Sequence, residues 1–311
     1  MISVSRKSAA PRPIFSRKER LPERKRMTLA LGMLYLNGVI VGADTQITWS
    51  DGRTEDRRKV IAFPAATGAY AIGYSSSDAE ASDTLVASIQ SDIEAIDPKS
   101  LRGIELVVRD AMASWYEMYR HHSTEQRPYV QLVVGANIRR SDANPQDEVG
   151  LYACEPPSTM NRKTLDNSGG YVAIGDAKAI TDPLYTTLFV GIRPPELASA
   201  HVCLSRISYL LFRAKKEFRS SVGGDTDVAV LRNGCATPQW VDLIDMRVAE
   251  SFGYNMNAAL ATTAGSIMSE QYMDTQEVLD LASSIHTWGL TYRRAQFRIR
   301  GSGGSQGEEI S

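Results

Sequence analysis

Four residues at fixed spacings could together cleave an amide: Thr28, Asp44 sixteen residues on, then Lys59, and Gly73 fourteen residues after that. A threonine hydroxyl is a weak nucleophile until a base takes its proton. If the chain is cut between Met27 and Thr28, one residue carries both the hydroxyl and a free α-amine. That amine has an ordinary pKa of about 7.7–8.0, so it can accept the proton near neutral pH and return it. A neighbouring Lys59 ammonium disfavours protonation of the amine and keeps it a base. Asp44 would pair with Lys59 and hold it in place. A backbone N–H at Gly73 would meet the oxyanion, a contribution of roughly 2.7–4 kcal/mol in other oxyanion holes. Taken singly, each residue has a plainer reading: a β-branched strand residue, a turn aspartate, a solvated lysine, a turn glycine. The joint spacing points to chemistry.

The elements that must hold these residues can be read from apolar patterning. Residues 28–36 and 38–43 are apolar runs around Asn37-Gly38, a strong hairpin signal. Residues 45–58 are polar and read as a loop. A second hairpin is predicted from 59–63 and 69–73. Two helices follow, over 77–96 with Ser77 as N-cap and over 100–122 with a Leu101, Ile104, Val107, Ala111, Trp115 stripe. Strands return at 129–136, 150–154 and 170–174, then helices at 176–190 and 195–218, then strands at 226–232 and 239–245. Further helices are predicted over 252–270 and 275–290. Hairpins alternating with helix pairs do not suit a doubly wound parallel sheet. They predict an α/β (α+β) fold, a four-layer α/β/β/α sandwich of two antiparallel sheets between helix layers.

Bulk properties narrow the function classes. The chain has 311 residues, 43% of them hydrophobic, and a formal net charge of −1. It is large enough for a substantial core and carries no overall signature of a nucleic-acid binder. Cys154, Cys203 and Cys235 form no CxxC pair, and the four histidines show no HExxH spacing. The expectation is therefore no metal and no organic cofactor, in a reducing, cytoplasmic setting. No apolar run is long enough for a membrane span. Residues 1–26 carry nine Lys/Arg against two Glu. This basic head reads as a propeptide or as sequence ahead of a true start at Met27, with a transit peptide, a nucleic-acid or surface-binding arm and an inert tail as alternatives. Gly223-Gly224-Asp225-Thr226-Asp227 reads as a turn, and His121-His122 as a charge complement to a helix end.

The same residues carry a family resemblance. The chain resembles a proteasome β-type subunit of the N-terminal-nucleophile hydrolases from Thr28 to about Gly234. In that family a strand opens with the catalytic threonine, and a second strand with a Gly-Val-Ile-Val run ends in an aspartate sixteen residues later. A lysine then opens the next hairpin, here at Lys59 and one residue early, and a glycine follows fourteen residues on. The resemblance implies a threonine peptidase with Thr28, Asp44, Lys59 and Gly73 in the roles above. It also implies a polypeptide substrate, self-association into a closed ring and a possible ATP-dependent unfoldase partner, with neither nucleic acid nor membrane as a partner. It leaves open a non-catalytic ring subunit, in which Thr28 never gains a free amine, and a related amidohydrolase of small amides.

Some positions depart from the family pattern. Where a serine commonly follows the glycine opening the third helix, Gly175 is followed by Asp176, an auxiliary candidate that would favour the protonated amine. The later Ser-Gly-Gly turn is matched by Ser220-Ser221-Val222-Gly223-Gly224 without the aspartate, leaving Ser221 as a second auxiliary candidate. The predicted organisation is a head over 1–27, a hydrolase-like domain over 28–245, a helical extension over 246–299 packed on it, and a flexible tail over 300–311.

Overall fold

The computed structural model describes residues 28–49, 52–123, 126–139, 147–164, 168–187 and 198–251, together with 283, 298–301 and 308–309. The basic head, the helix predicted over 252–270 and, apart from Ser283, the helix predicted over 275–290 lie outside the described residues.

The first hairpin pairs β1 (Leu29–Tyr35) with β2 (Gly38–Asp44). Tyr35 faces Gly38 across the ladder, so Leu36 and Asn37 form the turn and Gly38 is already strand. The polar stretch expected to be loop holds a short ladder of β3 (Gln46–Thr48) and β4 (Thr54–Asp56). The second hairpin pairs β5 (Val60–Ala65) with β6 (Gly68–Ser76). Helices α1 (Ala79–Ile96) and α2 (Leu101–Met118) come next. Asp78, not Ser77, caps α1: its carboxylate accepts from the N–H groups of Glu80 and Ala81.

Strands β7 (Val130–Ile138), β8 (Glu148–Glu155) and β9 (Thr159–Lys163) complete a five-stranded sheet in the order β5-β6-β7-β8-β9. The second sheet gains β10 (Tyr171–Gly175) beside β1, then β11 (Thr226–Arg232) and β12 (Gln239–Val241) beyond β2. Between these strands run α3 (Lys178–Tyr185) and α4 (Ala200–Glu217). The strand predicted to reach residue 245 stops at Val241, and a helix, α5, occupies 243–251. A domain boundary drawn at 245 therefore falls inside a helix. Strands β13 (Arg298–Gly301) and β14 (Glu308–Glu309) extend the second sheet at its far edge, the first across the boundary of the expected helical extension and tail, the second within the expected tail.

Three apolar clusters set the layers. Leu29, Leu31, Met33 and Ile40 meet Leu204, Ile207 and Leu211 of α4. Ile72, Leu132 and Val134 meet Leu85 and Ile89 of α1 and Ile104 and Val108 of α2. Between the sheets lie mostly small side chains, among them Ala30, Val41, Ala43, Ala71 and Val133. Each inner strand thus buries both faces, one against helices and one against the other sheet, with alternate residues serving each. Fully burying each leucine or isoleucine contributes about 1.5–3 kcal/mol. The result is the four-layer sandwich expected from the sequence, with all ladders antiparallel. No helix among the described residues is long and apolar enough to cross a membrane.

Candidate active site

Thr28 sits just ahead of β1 and is nearly buried, with 5% of its surface exposed. Its carbonyl oxygen accepts from Ser75 Oγ at 3.1 Å. Gly175, opposite Leu29 in the ladder, presses on the same carbonyl: it has φ +92° and a Cβ there would overlap the Thr28 oxygen. Its N–H is held by Gln131 Oε1 at 3.0 Å. Gly175→Ala should therefore displace Thr28 and strain the turn, costing about 1–3 kcal/mol. Thermal denaturation checks this; an unchanged melting temperature would mean the turn yields freely.

Asp44 ends β2 fully buried and organises the centre. Its Oδ1 accepts from Leu29 N–H at 3.0 Å, and its Oδ2 accepts from Lys59 Nζ at 3.0 Å and from Gly223 N–H at 3.1 Å. Lys59, 1% exposed, also donates to the Gln46 carbonyl. Burial pushes the Lys59 pKa below its ordinary value, against the opposing charge and hydrogen bond of Asp44. A lysine so placed keeps its pair but holds its proton less tightly than an exposed one.

Thr28 and Lys59 share one cavity of about 180 Å³, together with Ile47, Thr48, Trp49, Tyr74 and Ser76–Glu80. So Thr28, Asp44 and Lys59 come together. Gly73 is placed differently. It lies inside β6, facing the other sheet, where a Cβ would stand 3.0 Å from Val41 Cγ1 and 3.3 Å from Ala30 Cβ. It is not among the residues lining the cavity. Hydrogen bonding along β6 explains why. Tyr74 N–H donates to Lys59 O on the β5 side, whereas Ser77 N–H donates to Tyr129 O on the β7 side. Successive N–H groups on a strand alternate sides, so Gly73 N–H turns to β7, opposite Val133. Ser76 N–H turns to the β5 side, where the strand has ended: the next ladder position belongs to Arg57, whose own N–H donates to Thr45 O at 2.7 Å. Ser76 lines the cavity. Ser76, three residues beyond the position the spacing suggested, thus combines a place in the cavity wall with an N–H turned to the β5 side.

The two auxiliary candidates adjoin residues that touch this centre, Asp176 next to Gly175 and Ser221 two before Gly223. Asp176 is exposed in the turn after β10, and Ser221 Oγ is turned towards Phe218 O at 3.5 Å. Neither is among the residues lining the cavity. The nearby Gly223, with its N–H on Asp44, does touch the centre. Its adjoining Gly-Gly pair was a visible signal, but read as a turn.

Two antiparallel sheets between helix pairs, with the Asp44–Lys59 pair at the end of β2, define a proteasome-like sandwich. Among solved structures the fold is similar to Anbu (ancestral beta-subunit) from Yersinia bercovieri, with a TM-score of 0.60 and 13% identity over 75% of this chain and 97% of that one. Anbu from Hyphomicrobium sp. strain MC1 gives 0.59 and 13% over 80% and 100%. A helical assembly of the Anbu complex from Pseudomonas aeruginosa gives 0.57 and 15% over 76% and 96%. No protein-family model and no curated protein matches the chain. These neighbours correct the resemblance to proteasome β-type subunits: they are Anbu proteins, proteasome-like but distinct. The physical reason is that the Thr28–Asp44–Lys59 spacing is set by two hairpins of the sandwich, and so reports the architecture rather than the branch.

Proposed function

We propose that the chain is an N-terminal-threonine amide hydrolase acting on polypeptide, with Thr28 as nucleophile once Met27 and everything before it are gone. The observation that carries this reading is the shared cavity of Thr28 and Lys59, with Asp44 tying Lys59 to the first N–H of β1. In the proposed cycle the Thr28 α-amine takes the hydroxyl proton as Oγ1 attacks the substrate carbonyl. The oxyanion accepts from Ser76 N–H. The α-ammonium then protonates the leaving amine, and the acyl group remains as an ester on Thr28. Water, deprotonated by the same amine, hydrolyses the ester and restores the hydroxyl. Lys59, paired with Asp44, keeps the amine unprotonated between steps.

A backbone ester in place of the Ser76 amide removes that N–H and separates the two oxyanion assignments: it should slow hydrolysis of peptide amides by about 10²–10³-fold, and an unaltered rate would return the role to Gly73. Gly73→Ala keeps its N–H and should cost about 1–3 kcal/mol through crowding at Val41 and Ala30.

Self-association belongs to the same reading. A heterologous interface closes into a ring or runs on as a helix according to its rotation, and the Pseudomonas aeruginosa Anbu complex is described as a helical assembly. We infer that this chain assembles through such an interface, in a cytoplasmic setting suited to its free cysteines Cys154, Cys203 and Cys235. Light scattering after size exclusion tests it; a strict monomer across micromolar concentrations would contradict it.

A further inference from the structure

The end of β2 is gripped by a loop that a distant helix in turn holds. Thr45 N–H donates to Asp225 O at 3.0 Å, and Asp225 N–H donates back to Thr45 Oγ1 at 2.8 Å. Gln46 N–H donates to Gly223 O at 3.2 Å, and Gly223 N–H donates to Asp44 Oδ2 at 3.1 Å. Thr226 stands opposite Asp44 in the ladder. Residues 223–226 therefore fix the backbone from Asp44 to Gln46, which supplies two of the Lys59 ammonium's acceptors.

Helix α5 clamps both ends of the Asp225-Thr226 step. Arg247 forks onto Asp225, with Nη2 at 2.8 and 3.0 Å from the two carboxylate oxygens and Nε at 3.1 Å from one. Three residues on, Glu250 accepts from Lys215 Nζ at 2.8 Å and contacts Thr226 Oγ1. Lys215 Nζ also reaches Thr226 Oγ1 at 2.6 Å.

We propose that Arg247 and Glu250 are positioning residues, which hold Asp44 and Gln46 in place under Lys59 through the 223–226 loop and thereby set the reactivity of the Thr28 site. The proposal rests on the hydrolase reading for what that reactivity does, but not for the clamp itself. An exposed pair such as Arg247–Asp225, with side chains 63% and 37% exposed, contributes little to stability, typically below about 1 kcal/mol. Its geometric effect on the site is then separable from a structural one. The charges facing Lys59 make the coupling readable. Asp44 and Asp56 favour its ammonium, Lys215 opposes it, and Glu250 compensates Lys215.

The test is the titration of Lys59 in the full chain, followed by NMR of labelled lysine side chains, beside the melting temperature. Glu250→Gln leaves the Lys215 charge uncompensated and should lower the Lys59 midpoint by roughly half a pH unit with the fold intact. Arg247→Ala should lower it as well and slow hydrolysis several-fold, and Arg247→Lys should restore most of both. Unchanged midpoints in Glu250→Gln and Arg247→Ala overturn the proposal. A midpoint lowered by Arg247→Ala, whose lost charge alone would raise it, upholds the clamp, and in a protein that hydrolyses nothing it also overturns the hydrolase reading.

Discussion

A chain that begins at position 28 and carries Thr28→Ala should hydrolyse peptide amides at least about 10³-fold more slowly than one that begins with Thr28. The substitution removes the attacking oxygen and leaves the rest of the centre in place. The Thr28 contact on which the local fold depends runs through its carbonyl, which accepts from Ser75 Oγ, so the backbone should not shift. Thr28→Ser keeps both hydroxyl and amine and should retain far more of the rate than the alanine variant. Steady-state hydrolysis of fluorogenic peptide amides, with melting temperatures in parallel, checks both. Equal rates with and without the Thr28→Ala substitution would move the nucleophile elsewhere.

The second large effect is on stability. Asp44→Ala strips the acceptor from three donors at once: the buried Lys59 Nζ and Leu29 N–H and the half-buried Gly223 N–H. Breaking a buried pair by removing one partner costs about 3–5 kcal/mol, because the other charge stays buried. Urea denaturation should show that loss, and Asp44→Asn, which keeps an acceptor oxygen, should show less. A cost below about 1 kcal/mol would mean that the centre readily rehydrates.

Lys59 adds a pH signature whose sign is fixed. Its native pKa lies below the ordinary 10.5, so as pH rises the folded protein releases this proton before the unfolded chain does. Between the lowered value and 10.5 the unfolded state holds more protons, and stability rises with pH. Below that window the cost of burying the ammonium is present in full and constant. Relative to Lys59→Met, the wild-type chain should therefore gain stability through the alkaline window. A difference that shrinks there would contradict the depressed pKa.

The hairpins and the Thr28–Asp44–Lys59 grouping were legible because they depend on local apolar alternation and on spacing along consecutive strands. The proposed oxyanion donor was not. Choosing Ser76 over Gly73 requires knowing which way each N–H of β6 points, and that is settled by where β5 stops. The hold of Gly223 on Asp44 spans 179 residues of sequence, and no local pattern encodes it. The β3–β4 ladder is polar apart from Ile47, so periodicity could not find it; one of its anchors is tertiary, the Gln46 N–H on Gly223 O. Helix α5 followed an apolar strand closely enough to be read as its continuation. The small-residue layer between the sheets gives Gly73 a packing reason of its own: a methyl group there would already crowd Val41.

Everything turns on whether Thr28 becomes a free, reactive N-terminus. Treating the purified protein with a peptide electrophile that acylates nucleophilic hydroxyls, then measuring intact mass and mapping the adduct by peptide sequencing, answers this in one experiment. The predicted result is a chain that starts at Thr28 and carries one adduct, on Thr28. A chain that keeps Met27 or the head, one that starts at Thr28 but stays unlabelled, or an adduct on any other residue would contradict the account.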